Sequence, residues 1–107
     1  MGGITFDSVS STGSGSTGID INGVSGGVFT VSGATTISGS AGNAIQLTGN
    51  SAAVNFGGAT GISMTSAAAG VDFGGTGSGA VSFANLDIAL QSANATGIDL
   101  SGAVINA

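Results

Sequence analysis

The sequence predicts an all-β fold: a parallel β-helix, or β-solenoid, of about four triangular coils of 25–27 residues. Three observations carry this reading. A motif of apolar, polar, apolar, small or polar, then Gly occurs four times, as GIDING (18–23), AIQLTG (44–49), GVDFGG (70–75) and GIDLSG (97–102). Its first apolar positions, Ile19, Ile45, Val71 and Ile98, lie 26, 26 and 27 residues apart. A second family, ITFDS (4–8), FTVSG (29–33), VNFGG (54–58) and VSFAN (81–85), recurs at intervals of 25, 25 and 27. Between the copies lie Gly, Ser, Thr and Asn with no proline, the composition of frequent turns.

A fixed-period repeat of short segments is the signature of a solenoid, in which each unit buries its apolar face only by stacking on its neighbours. Period-two alternation within each segment marks a strand with one buried face. The GIDI-type strands then form one side, with inward columns Ile19/Ile21, Ile45/Leu47, Val71/Phe73 and Ile98/Leu100. The second family forms another side, with Ile4/Phe6, Phe29/Val31, Val54/Phe56 and Val81/Phe83 inward. Phe29 takes the other inward slot from Phe6, Phe56 and Phe83. A weaker third family, TTISG (35–39), TGISMTS (60–66) and LDIAL (86–90), supplies Ile37, Ile62/Met64 and Ile88/Leu90 for the third side. Equivalent strands one coil apart pair at roughly 4.8 Å, so four coils stack to about 20 Å.

A helical reading fails because no 11-residue window keeps a 3.6 period without a glycine, which costs about 1 kcal/mol in a helix. A two-sheet sandwich is the structural runner-up, but it has no need of a translational repeat of this length. Residues 1–3 read as a boundary, and 4–107 as a single repeat domain with an irregular or truncated last coil at 98–107. Ile98 to Val104 spans only 6 residues, where earlier offsets to the next side are 9 or 10. No terminal amphipathic helix caps the stack, and unpaired coil edges point to self-association through the coil ends or a flat β face. Met1-Gly2-Gly3 has neither the basic region nor the apolar run of an export signal, and entry into the pattern by Ile4 reads as a piece of a longer chain.

Charge narrows the functions. Five aspartates, Asp7, Asp20, Asp72, Asp87 and Asp99, are the only charged side chains, giving −5 with no lysine, arginine or histidine. Nothing neutralises a phosphate backbone or docks on an anionic membrane surface. No 18-residue apolar run exists for a membrane-spanning helix, and no cysteine exists for disulfides, a thiolate nucleophile or a zinc–thiolate site.

Asp20, Gln46, Asp72 and Asp99 share one polar slot between inward apolar residues, so that slot points outward. Asp72 and Asp99 fall on adjacent coils about 5 Å apart, with Asp20 two coils from Asp72. The favoured reading is solvated charge; a weak calcium site is the alternative, and the GGxGxD calcium repeat is missing, since GGTGSG (74–79) has no following aspartate. Two carboxylates at this spacing also meet the crude distance for glycosidic acid–base pairs. Yet the chain has no tryptophan, tyrosine or cationic anchor, and no long insertion to wall a cleft. No catalytic, cofactor-binding or metal-ligating residue is therefore assigned, no cofactor is expected, and the chain is read as a non-enzyme. Asp87 reads as an exposed strand residue and Asp7 as a turn residue. Thr5, Thr30, Asn55 and Ser82 form an outward file whose threonines give way after two copies, too few for an ice-matching array. Asn94-Ala95-Thr96 matches a glycosylation sequon.

The stretches ITFDSVSSTG (4–13), GVFTVSGATTISG (27–39), AVNFGGATGISM (53–64) and AVSFANLDIAL (80–90) resemble the β-strand repeats of large bacterial surface and autotransporter-type adhesins, across residues 4–105. That resemblance implies a right-handed parallel β-helix, export to the cell surface or medium, and a stalk that holds binding regions away from the cell. It implies a glycan or host-surface ligand only for a full-length parent. The expected function is thus a structural spacer of an extracellular surface protein. The alternatives are a carbohydrate-active or carbohydrate-binding β-helix, a calcium- or ice-binding solenoid, and a designed or filament-forming module.

Overall fold

The computed structural model describes residues 2–75, 77 and 79–101. The chain winds through four coils. In the first, β1 (Ile4–Phe6), β2 (Val9–Thr12) and β3 (Ile19–Asn22) make three sides. In the second, β4 (Val28–Val31), β5 (Thr35–Ser38) and β6 (Ile45–Thr48) repeat them. In the third and fourth, β7 (Ala53–Met64) and β9 (Val81–Leu90) each run through two sides, followed by β8 (Ala69–Asp72) and β10 (Thr96–Asp99). Every pairing is parallel and joins a strand to its equivalent one coil away. This is a parallel β-solenoid of about four turns, as the repeat predicts.

Register matches the predicted columns. Ile19, Ile45, Val71 and Ile98 align, as do Ile4, Phe29, Val54 and Val81. Phe6, Val31, Phe56 and Phe83 form the next column, so Phe29 does sit one slot aside. The Phe56 and Phe83 rings stack face to face at 4.7 Å, while Phe6 meets Phe29 diagonally at 5.6 Å and 46°. Such ring pairs add about 0.5–1.5 kcal/mol beyond their buried area. Ile37, Ile62 and Ile88 align on the remaining side, with Met64 against Leu90.

Three features depart from the sequence reading. The first coil's third-family strand, β2, has no clear apolar signature because Ser11 occupies the slot of Ile37. The second and third families merge into one strand in β7 and β9, because Gly57, Gly58 and Ala59, or Ala84 and Asn85, turn the corner without leaving extended geometry. Gly58 permits this turn by close approach: an added Cβ would run into the Gly33 carbonyl. Phe73 and Leu100, expected as strand residues, lie just past the ends of β8 and β10, although the Phe73 N–H still reaches the Asp99 carbonyl at 3.0 Å. Of the predicted irregular end at 98–107, Ile98 and Asp99 keep the register of earlier coils, and 102–107 fall outside the described residues.

The core sits in the middle coils. Ile45, Val54 and Val71 are fully buried at 0%, whereas Ile4, Phe6, Ile98 and Leu100 on the outer coils remain 40–47% exposed. An inner coil has neighbours above and below; an end coil has one. Two corners turn through left-handed glycines at equivalent places, Gly13 and Gly39 (φ 66° and 67°) and Gly23 and Gly49 (φ 67° and 63°). Only glycine adopts that conformation without penalty, which explains glycine at these four positions; in the third and fourth coils Met64 and Leu90 take the rung of Gly13 and Gly39.

Asn50, Thr35 and Thr60 are among the polar side chains buried in the stack. Asn50, buried beside Gly49, accepts from the Val24 N–H and donates to the Ile21 carbonyl, both at 2.9 Å. It thereby ties the corner of the second coil to that of the first. Thr35 and Thr60 stack in register, facing inward, and among the described residues their hydroxyls have no hydrogen-bond partner.

Asn50→Ala leaves one N–H and one carbonyl unpaired and is expected to lower stability by about 2–3 kcal/mol in urea denaturation. Thr60→Val removes a desolvated hydroxyl at nearly constant shape and is expected to raise stability by about 1 kcal/mol by the same measurement.

Candidate functional site

The strongest candidate site is the polar file on the β3–β6–β8–β10 side. Asp20, Gln46, Asp72 and Asp99 occupy consecutive rungs, in the order the sequence reading placed them. Alternation puts their flanking apolar residues inward and sets the file on the outer surface. Asp72 and Asp99 are the one adjacent pair of carboxylates in it.

Each of the two is already engaged by the protein. Asn43, in the corner before β6, donates from Nδ2 to Asp72 Oδ2 at 2.7 Å, while its Oδ1 accepts from the Ala69 N–H at 3.0 Å. Asn43 therefore links two coils through both ends of its amide, a role its place in the sequence did not reveal. The signal was faint: an asparagine three residues before a rung, its partner a whole coil away. Asp99 Oδ1 accepts from the Ser101 N–H at 2.9 Å, and this backbone donor, helped by the Ser101 side chain, holds the Asp99 carboxyl below the ordinary aspartate value.

A calcium ion takes six to eight oxygens, and the file supplies two neighbouring carboxylates. Among the described residues no group of three or more His, Cys, Asp or Glu side chains converges as a metal site would require. Asp7 lies in the exposed corner between β1 and β2, and Asp87 in β9. Three of the five aspartates thus share one file, and Asp7 and Asp87 lie on other faces.

The other outward files are hydroxyl-rich. Thr5, Thr30, Asn55 and Ser82 align as expected, and the Ser82 hydroxyl donates to Asn55 Oδ1 at 2.9 Å, a ladder contact between coils. On the adjoining side, Thr36, Gly61 and Asp87 align, and Ser38 and Ser63 run beside them. Gly61, with open space where a side chain would stand, creates a shallow depression bordered by Thr36, Ser63 and Asp87. Its sequence signal was a lone glycine in an outward slot, which reads equally well as a turn. Asn94 of the sequon sits in an exposed turn before β10. Thr76 and Ser78 of GGTGSG fall outside the described residues.

No protein-family model, curated protein or solved structure matches the chain.

The Asp99 contact sets a pH expectation. A carboxyl lowered in the folded state contributes stability at higher pH and loses that contribution as pH falls through its depressed value. In a carbon-detected NMR titration, Ser101→Ala is expected to keep most of the lowering because the N–H remains. Ser101→Pro removes that donor and is expected to return Asp99 toward the ordinary aspartate value.

Proposed function

We propose that this chain is a non-catalytic structural repeat, a spacer or scaffold segment of an extracellular bacterial surface protein of the adhesin type. The observation that carries the reading is the continuity of the parallel ladder through all three sides, with only two or three residues at the corner that joins the first two. Such corners raise no wall around the outward files. Side chains on those files are mostly short hydroxyls, amides and a few carboxylates, suited to hydration and to coil-to-coil ladders. The resemblance of the repeats to adhesin stalks supports placement at the cell surface or in the medium.

A stalk needs stiffness and little affinity of its own. Cross-coil bonds run along the stack, so bending it strains three ladders together. Negative charge without any cation discourages non-specific adhesion to other acidic surfaces and keeps the segment soluble. Length then scales with coil number, roughly 4.8 Å per coil.

The reading is tested by inserting the chain between a bacterial outer-surface anchor and a reporter domain. Surface exposure of the reporter, protease resistance of the insert, and no retention of the isolated chain on a glycan panel are the expected results. Glycan binding or glycan cleavage by the isolated chain would overturn it.

A further inference from the structure

The two ends of the stack are complementary, and we infer that they join: the fourth coil of one copy seats on the first coil of the next, head to tail. The inference concerns the 107-residue chain by itself and does not rest on the surface-spacer reading. Among the described residues, β1, β2 and β3 are the outermost strands of their ladders at one end, and β9 and β10 at the other. All pairs are parallel, so a free edge of the first coil accepts a strand of the direction that a fourth coil presents. The side chains agree. Ile4 and Phe6 are 40% and 44% exposed at one end, and Leu90, Ile98 and Leu100 are 44%, 47% and 45% exposed at the other.

Carrying the internal register one step further places Val81 on Ile4, Phe83 on Phe6, Leu86 on Val9 and Ile98 on Ile19 of the next copy. The Phe83–Phe6 contact would extend the ring stack that Phe56 and Phe83 already make. Corner length provides an independent match. Two residues separate Phe6 from Val9 and Phe83 from Leu86, while three separate Val31 from Thr35 and Phe56 from Thr60. At this corner the fourth coil resembles the first more closely than it resembles the third, and the junction would need no bulge like the one between Phe56 and Ala59. The longer path from Ile88 to Ile98 is accommodated in the exposed turn at Ala93–Asn94.

One feature opposes the contact. The same register sets Asp99 beside Asp20 of the next copy, making a row of Asp72, Asp99 and Asp20 with no cation in the chain to balance it. Directly opposed like charges weaken a strand pair. Screening by salt therefore favours the joined state. Asp7 and Asp87 lie on other sides and do not face this row. Because the two surfaces differ, the contact is heterologous, and repeated copies build an open filament rather than a closed dimer.

Sedimentation velocity of the 107-residue chain over a concentration series, at low and high salt, tests the inference. Mass should climb past dimer without a plateau, and more steeply at high salt. Asp20→Asn should lower the concentration for half-association roughly two- to fivefold. Phe6→Asp blocks one end and Ile98→Asp the other. Each variant, confirmed as folded by circular dichroism, should stay monomeric alone, and an equimolar mixture should stop at dimer. A wild-type chain that stays monomeric throughout overturns the proposal, as does a single blocked variant that still self-associates. A monomer that associates only after removal of residues 102–107 assigns the end face to that segment and equally overturns it. Failure of the reporter-display experiment would leave these outcomes untouched.

Discussion

The fold depends on one interaction, the parallel hydrogen-bonded ladder between equivalent strands one coil apart. No strand persists alone, and among the described residues none has a hairpin partner. A segment such as Ile19–Asn22 becomes a strand only because Ile45–Thr48 lies beside it in the same phase. Every other contact follows from that phase: aliphatic residues meet in columns, rings stack on rings, and glycines gather at corners. Almost all stabilising contacts are long-range in sequence, so loop closure precedes reward, and folding of such a topology is intrinsically slow.

Side chains are small, which changes where specificity resides. The columns contain Ile, Val, Leu and Phe, but alanine, serine and threonine fill much of the remainder. Buried Thr35 and Thr60 show that the interior tolerates hydroxyls where a methyl would serve. Asn50 and Asn43 act differently: Asn50 bonds backbone groups of the first coil with both ends of its amide, and Asn43 bonds a backbone N–H of the third coil with its Oδ1. These asparagines hold corners in phase, where apolar contacts are sparse and a one-residue slip would reverse the inward and outward faces.

Electrostatics weighs more on the proposed junction between copies than on the fold. Five like charges over a small surface, without a counter-charge, bring no ion pairs and leave the carboxylates to water, backbone or amide donors. Asp72 and Asp99 are tolerated on neighbouring rungs because the first accepts from Asn43 and the second from Ser101. A charge that is harmless within one chain would be harder to accommodate at the proposed junction, where the row would grow longer.

The aligned repeats by themselves determined the all-β class, the coil number, the inward columns and even the displacement of Phe29, because a solenoid translates its period directly into registry. They also determined that the carboxylate slot faces outward, since alternation leaves no other orientation. Tertiary structure alone decided which segments fuse into long strands, since corner geometry depends on how closely Gly33 and Gly58 approach. It also decided that β2 exists despite Ser11, that Asn50 and Asn43 bridge coils, and that Gly61 opens a depression. Those features arise from contacts about one coil apart in the chain, between residues whose local patterns carry no mark of their partners.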